Sequence, residues 1–68
     1  MKSVSGKRFC QILEKKGWIC ARIQGSHHIY IKADCEERLP VPVHGNRDLK
    51  IGLQRFLMKT AGVSEKEL

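Results

Sequence analysis

Residues 39 to 43 read Leu-Pro-Val-Pro-Val, and this segment restricts the possible folds of the chain most strongly. Its apolar residues alternate along the chain, as they do in a β-strand with one buried face. Proline has no N–H group to donate to a neighbouring strand, so Pro40 and Pro42 predict a strand at the edge of a sheet. The rest of the sheet must therefore lie on one side of this strand.

Two further strands are predicted before this edge strand. Residues 18–23 and 28–32 are rich in β-branched and aromatic side chains, which favour strands. Gln24 to Ser26 form the predicted turn between them, in which Gly25 can adopt a positive φ angle. A second turn is predicted at residues 34–37. Hairpin connections between consecutive strands predict a three-stranded antiparallel sheet.

A helix is predicted at each end of the chain. The first spans Ser5 to Lys16, because apolar residues recur there at helical spacing and Gly17 can end it. The second follows a loop whose candidate caps are Asn46 and Asp48. Its predicted apolar stripe consists of Leu49, Leu53, Phe56, Leu57 and Thr60, while Gln54 is expected to face solvent. A capping-box pattern at residues 64–67 predicts one short final turn.

The order α-β-β-β-α predicts one α+β domain over residues 1–68, with both helices on one face of the sheet. This is the layout of double-stranded-RNA-binding domains. A chain of 68 residues has little room for a deep substrate cavity beside its core. We therefore expect its function on the surface, with a large partner.

The chain is basic, and its charge is uneven. Its net charge is +6; residues 1–34 hold seven Lys or Arg and two acids (+5), and residues 35–68 hold six and five (+1). Such a domain is typical of nucleic-acid binding, although an acidic protein or a merely solvated surface would also fit. The candidate RNA-contacting residues are Lys7, Arg8, Lys15, Lys16, Arg22, Ser26, Arg47 and Lys50.

The cysteines and the hydropathy pattern exclude several classes of protein. Cys10, Cys20 and Cys35 form no disulfide framework and no CxxC pair, so we expect reduced thiols. A zinc site would need Cys20 and Cys35 with His27 or His28, at a spacing that matches no common zinc pattern. No apolar run approaches the roughly 18 residues of a membrane span, and the N-terminus lacks a signal-peptide pattern. A cytoplasmic location is therefore expected.

His27 and His28 follow the predicted turn at Gly25 and Ser26. Histidine exchanges protons near neutral pH, since its unperturbed pKa is about 6.5. RNA carries its own nucleophile, the 2′-hydroxyl, so cleavage needs only proton transfer and stabilisation of the phosphate. A histidine beside a tight turn with nearby cations could supply both, although a structural histidine would fit the same position.

Several linked segments resemble the HicA (YcfA-like) toxin family over nearly the whole chain. They are Gly17-Trp18, Arg22 with Gly25-Ser26-His27-His28, Val41-Pro42-Val43-His44, Gly52 and Ala61-Gly62. Leu53 departs from the family pattern, in which threonine commonly follows the glycine. The resemblance implies a double-stranded-RNA-binding-like fold and an mRNA endoribonuclease that needs neither ribosome nor metal. It also implies inhibition by a HicB-type antitoxin that blocks the active histidine.

The family histidine follows the Gly-Ser turn, and so corresponds to His27. Simple alternation places His27 with Ile29 and Ile31, and His28 with Tyr30 on the more polar face. A shift of one residue would reverse the faces, so we prefer His27 and keep His28 as the alternative. A non-catalytic double-stranded-RNA-binding module and a metal-binding module remain as alternative functions. The free toxin is expected to be a monomer without a cofactor.

Overall fold

A computed structural model describes residues 1–68 and confirms the predicted order of elements. The elements are α1 (Gly6–Lys15), β1 (Ile19–Gln24), β2 (His27–Lys32), β3 (Cys35–Pro42), α2 (Ile51–Ala61) and a final 3-10 turn (Glu65–Glu67). The chain is thus an α+β fold with an antiparallel sheet. No helix is both long enough and apolar enough to cross a membrane.

The strand order is β1-β2-β3, so β3 lies at an edge as its prolines predict. Pro40 is paired with Ile29 and Pro42 with His27. The predicted turn at residues 34–37 is too long, because β3 already begins at Cys35. Asp34 makes the shorter turn possible by adopting a φ of 68°, a conformation that Asp tolerates better than most residues.

Helix α1 begins and ends where its sequence predicts. The Ser5 hydroxyl accepts a hydrogen bond from the Arg8 N–H at 3.0 Å, which caps the first turn. Gly17, with a φ of 95°, follows the last turn, and the Trp18 N–H then donates to the Leu13 carbonyl at 3.0 Å. This termination turns the chain so that Trp18 enters the core before β1 starts.

Helix α2 differs from the prediction in its start and in its buried face. It begins after Lys50, and the predicted cap Asp48 instead forms an isolated bridge with Ser5. Phe56, predicted to be buried, is 56% exposed, whereas Gln54, predicted to face solvent, is 0% exposed. The predicted stripe was therefore wrong at these two positions.

The N-terminal segment explains the burial of Gln54. The Val4 N–H donates to Gln54 Oε1 at 3.2 Å, and Gln54 Nε2 donates to the Lys2 carbonyl at 2.7 Å. These bonds satisfy a buried amide, whose burial would otherwise be costly. Hydrophobic periodicity within α2 holds no information on a segment about 50 residues away, so it could not reveal this face.

Both helices cover the sheet face that bears Tyr30, Leu39 and Val41. The Tyr30 hydroxyl donates to a Glu14 carboxylate oxygen of α1 at 2.7 Å. Burial, and then this bond to a carboxylate, raises the pKa of Tyr30. The opposite face is open to solvent: Ile19 is 63% exposed and its partner Ile31 is 38% exposed.

Candidate functional site

The two histidines of β2 point to opposite faces of the sheet. His28 shares the face of Tyr30, as the alternation predicted, but that face is the one covered by the helices. The interpretation of it as the polar face was wrong, because Ile29 and Ile31 suggested a core face where the structure has the open one. His28 is half-buried beside Val41, whereas His27 is exposed.

The turn before His27 is joined to the end of β3. Gly25 adopts a φ of 59°, which the tight connection between β1 and β2 requires. The Val43 N–H donates to the Ser26 carbonyl at 2.7 Å, one residue beyond the last ladder pair of His27 with Pro42. The position of His27 is therefore set by both neighbouring strands.

A third histidine lies at this turn. Ser26 Oγ is 3.4 Å from His44 Nε2, and the side chain of His44 is exposed. From the sequence, His44 was expected in the loop before α2 and was not among the candidate catalytic residues. The antiparallel pairing of β2 with β3 was the signal available, because it brings the residues after Pro42 next to those before His27.

A cleft of about 290 Å³ separates the end of β3 from the start of α2. It is lined by Pro42, His44, Arg47, Asp48, Leu49, Lys50 and Leu53. Two cations and an imidazole face one carboxylate there, so the cleft favours an anion. The free N–H groups of the first turn of α2 add to this preference. Pro42 joins the cleft to His27, its ladder partner.

Most of the predicted basic residues lie near the end of the domain that bears His27 or on the open face of the sheet. Gly6, at the start of α1, lies against the Pro42 carbonyl, so Lys7 and Arg8 lie at the same end of the domain as His27. Arg22 lies on the open sheet face, opposite Ile29 in the ladder. Arg47 and Lys50 are the cations of the cleft.

Lys15 and Lys16 lie away from the end of the domain that bears His27. They follow Gly6 by about nine residues, which is about 13 Å along a helix. Lys16 Nζ also forms an ion pair with Glu67 Oε2 at 2.9 Å. The structure therefore brings Ser26, His27, Arg47 and Lys50 to one end and leaves Lys15 and Lys16 at the other.

No group of three or more His, Cys, Asp or Glu side chains is arranged to hold a metal ion. The three cysteines are free, with Cys10 buried and Cys20 and Cys35 half-buried. Desolvation is the main reason that the pKa of the Cys10 thiol is raised. The proposed zinc set of Cys20 and Cys35 with a histidine therefore has no geometric support.

Comparison with known proteins identifies a family for nearly the whole chain. The model of the family described as HicA toxin of bacterial toxin–antitoxin systems matches residues 6–63. The match begins at the first residue of α1 and ends just after α2. Comparison with curated proteins gives no match.

Proposed function

The chain belongs to the HicA toxin family of bacterial toxin–antitoxin systems, and on this premise we propose that it is an endoribonuclease that cleaves mRNA without a metal ion. The observation that carries the proposal is the exposed His27 beside a tight turn, whose ladder partner Pro42 lines an anion-favouring cleft. The alternative histidine, His28, is half-buried against the helix-covered face. RNA can reach the exposed side chain of His27 more readily than the half-buried side chain of His28.

In this proposal His27 acts as the general base. Its imidazole removes the proton of the RNA 2′-hydroxyl, and the resulting 2′-oxygen attacks the adjacent phosphorus. The reaction uses a nucleophile that belongs to the substrate, so no activated water is needed. DNA lacks the 2′-hydroxyl and should therefore remain intact.

The cations at the same end would hold the phosphate. Arg47 and Lys50 line the cleft. We expect Lys7, Arg8 and Arg22 to contact neighbouring phosphates along the RNA strand. Arginine binds phosphate oxygens in pairs, and positive charge stabilises the extra negative charge of the transition state. Lys15 and Lys16 could contribute only to a substrate that spans the length of α1.

We also infer that the inhibiting partner is a HicB-type antitoxin that covers His27. The net charge of +6 favours an acidic surface on that partner. A monomeric toxin in the cytoplasm, where mRNA is available, is the form that such an antitoxin would bind. Expression of the toxin alone should arrest bacterial growth, and co-expression of the adjacent open reading frame should relieve that arrest. Continued arrest despite a stable complex of the two proteins would contradict inhibition.

The decisive experiment compares RNA and DNA of the same sequence, each incubated with the purified chain in EDTA. We expect cleaved RNA and intact DNA. His27→Ala should abolish cleavage, whereas His28→Ala should retain most of it if its melting temperature is unchanged. Intact RNA with salt-sensitive binding by the folded protein would instead favour a non-catalytic double-stranded-RNA-binding module.

A further inference from the structure

We propose that His44 is a second catalytic residue, which donates a proton to the leaving 5′-oxygen of the RNA. This inference rests on the proposed RNA cleavage and completes its acid–base chemistry. A lone base leaves the 5′-oxygen to depart as an alkoxide, which is a poor leaving group. General acid catalysis at such an oxygen typically contributes about 10²–10⁴-fold to the rate.

The position of His44 supports this role. The Ser26 hydroxyl contacts its Nε2 atom at 3.4 Å, and Ser26 directly precedes His27. The bond from the Val43 N–H to the Ser26 carbonyl, 2.7 Å long, continues the pairing of β2 with β3 towards His44. His44 is two residues beyond Pro42, the ladder partner of His27, so the two histidines lie at the same end of the β2–β3 pair.

The proposed cleavage needs two separate groups, one on either side of the phosphate. In an in-line displacement the attacking 2′-oxygen and the leaving 5′-oxygen lie on opposite sides of phosphorus, so base and acid must be separate groups. Both imidazoles are exposed and therefore accessible to a strand of RNA. The cleft lined by His44 also holds Arg47 and Lys50, which can bind the non-bridging phosphate oxygens between them.

The charged groups around His44 are compatible with its action as a proton donor. Arg47, Asp48 and Lys50 line the cleft with it, Ser26 faces it from the β1–β2 turn, and His27 lies across the ladder. No carboxylate forms an ion pair with His44.

In the proposed step His27 gains one proton and His44 loses one. The 2′-hydroxyl proton passes to His27 as the bond from the 2′-oxygen to phosphorus forms. The bond from phosphorus to the 5′-oxygen breaks, and the proton of His44 passes to that oxygen. The products are a 2′,3′-cyclic phosphate and a 5′-hydroxyl, and the two histidines then recover their starting protonation states by exchange with water.

Two substrates separate the role of His44 from that of His27. One is an ordinary RNA oligonucleotide, and the other is a nucleoside 3′-(4-nitrophenyl phosphate), whose leaving group needs no proton. We expect His44→Ala to slow cleavage of the oligonucleotide by about 10²–10⁴-fold and that of the activated ester by only a few fold. His27→Ala should slow both, because the 2′-hydroxyl must lose its proton in each.

A conservative variant distinguishes catalysis from positioning. His44→Gln can keep a hydrogen bond to Ser26, because its terminal amide lies near the position of Nε2, but it cannot donate a proton in this way, so it should be as slow as His44→Ala. Full recovery with Gln would overturn the proposal and make His44 a positioning residue. Asn46→Ala, in the same exposed loop, is the matched control and should cleave both substrates at the wild-type rate.

The pH profile gives an independent readout. A general acid must be protonated, so wild-type cleavage should decline towards high pH, and His44→Ala should remove that decline. Equal slowing of both substrates by His44→Ala, or wild-type cleavage by it, would refute the acid role while leaving the endoribonuclease intact. A folded wild-type chain that cleaves neither substrate would refute the endoribonuclease itself.

Discussion

The two ends of the sheet differ in the side-chain interactions that stabilise them. We call the end formed by Ser26, His27, His44 and the cleft the histidine end. The tryptophan end lies opposite, where Trp18 is 3% exposed and the Lys32 ammonium lies 5.9 Å from its ring centroid. There an ion pair of Lys16 with Glu67 also joins α1 to the C-terminal turn.

This difference separates stability from chemistry. Trp18 is a large buried side chain at the tryptophan end, and burial of apolar area is the main favourable contribution to the folding free energy of a domain. The histidine end presents exposed polar side chains that bind one another only weakly, leaving them available to a ligand. Substitution of Trp18 at the tryptophan end should therefore change stability, whereas substitution of the exposed histidines at the histidine end should change activity.

The largest expected effect is that of Trp18→Ala. Removing a buried aromatic side chain costs about 3–5 kcal/mol, a large part of the stability of a domain of this size. His27→Ala should change the free energy of unfolding by no more than about 0.5 kcal/mol, because its side chain is exposed. Urea unfolding followed by circular dichroism measures both, since the only tryptophan is lost as a fluorescent probe.

Trp18→Phe is the matched control. The buried Nε1 atom of Trp18 has no hydrogen-bond partner, so replacing the indole by a phenyl ring breaks no bond. It should cost less than Trp18→Ala. An equal loss of stability in Trp18→Ala and His27→Ala would contradict the division between the two ends.

Gly6→Ala tests whether the division has an exception. Gly6 lies at the histidine end, but its backbone lies so close to the Pro42 carbonyl that a Cβ atom there would overlap it. Because the obstacle is backbone, the strand or the helix must shift, at a cost of about 1–3 kcal/mol. Thermal unfolding of the purified variant measures this cost.

Gly52→Ala is its opposite. Gly52 lies in α2 with nothing near the position of an added Cβ atom, so alanine should stabilise the helix by up to about 1 kcal/mol. The two variants make the same chemical change and should have opposite signs. If Gly6→Ala leaves stability unchanged, the contact with β3 does not constrain α1.

How much of the structure can be predicted from the sequence depends on how far apart in the chain the interacting residues are. Local signals predicted α1, because Ser5 and Gly17 mark its ends, and the prolines of β3 predicted its edge position. His27 was predicted from a local turn and a family resemblance. The burial of Gln54 and the contact of Ser26 with His44 join residues far apart in the chain, so no periodicity within one element reports them.

Gln54→Leu measures one of these long-range interactions. Leucine fills a similar volume but offers no acceptor to the Val4 N–H, which is then buried without a partner. We expect a loss of about 1–2 kcal/mol in urea unfolding, within the usual cost of an unsatisfied buried donor. Gln11→Leu, at an exposed position of α1, should have almost no effect. Equal effects of the two changes would show that the N-terminal segment does not depend on Gln54.

The smallest expected effect is an acid-dependent one at the tryptophan end. The Ser64 N–H donates to Glu67 at 2.8 Å and the Lys16 ammonium donates at 2.9 Å, and together they lower the pKa of Glu67 below its ordinary value of 4.5. A lowered folded-state pKa contributes stability that is present above the unfolded pKa and is lost as pH falls through the folded one. Stability should therefore decrease below about pH 4.5.

Glu67→Gln isolates this contribution because glutamine can still accept a hydrogen bond but has no charge to lose. Its melting temperature should fall less steeply with decreasing pH than that of the wild type, and the two should converge in acid. Glu36→Gln, at an exposed position of β3 without an ion pair, should keep the wild-type slope. The same slope in all three proteins would mean that apolar packing alone holds the tryptophan end, since the ion pair would then contribute nothing that protonation can remove.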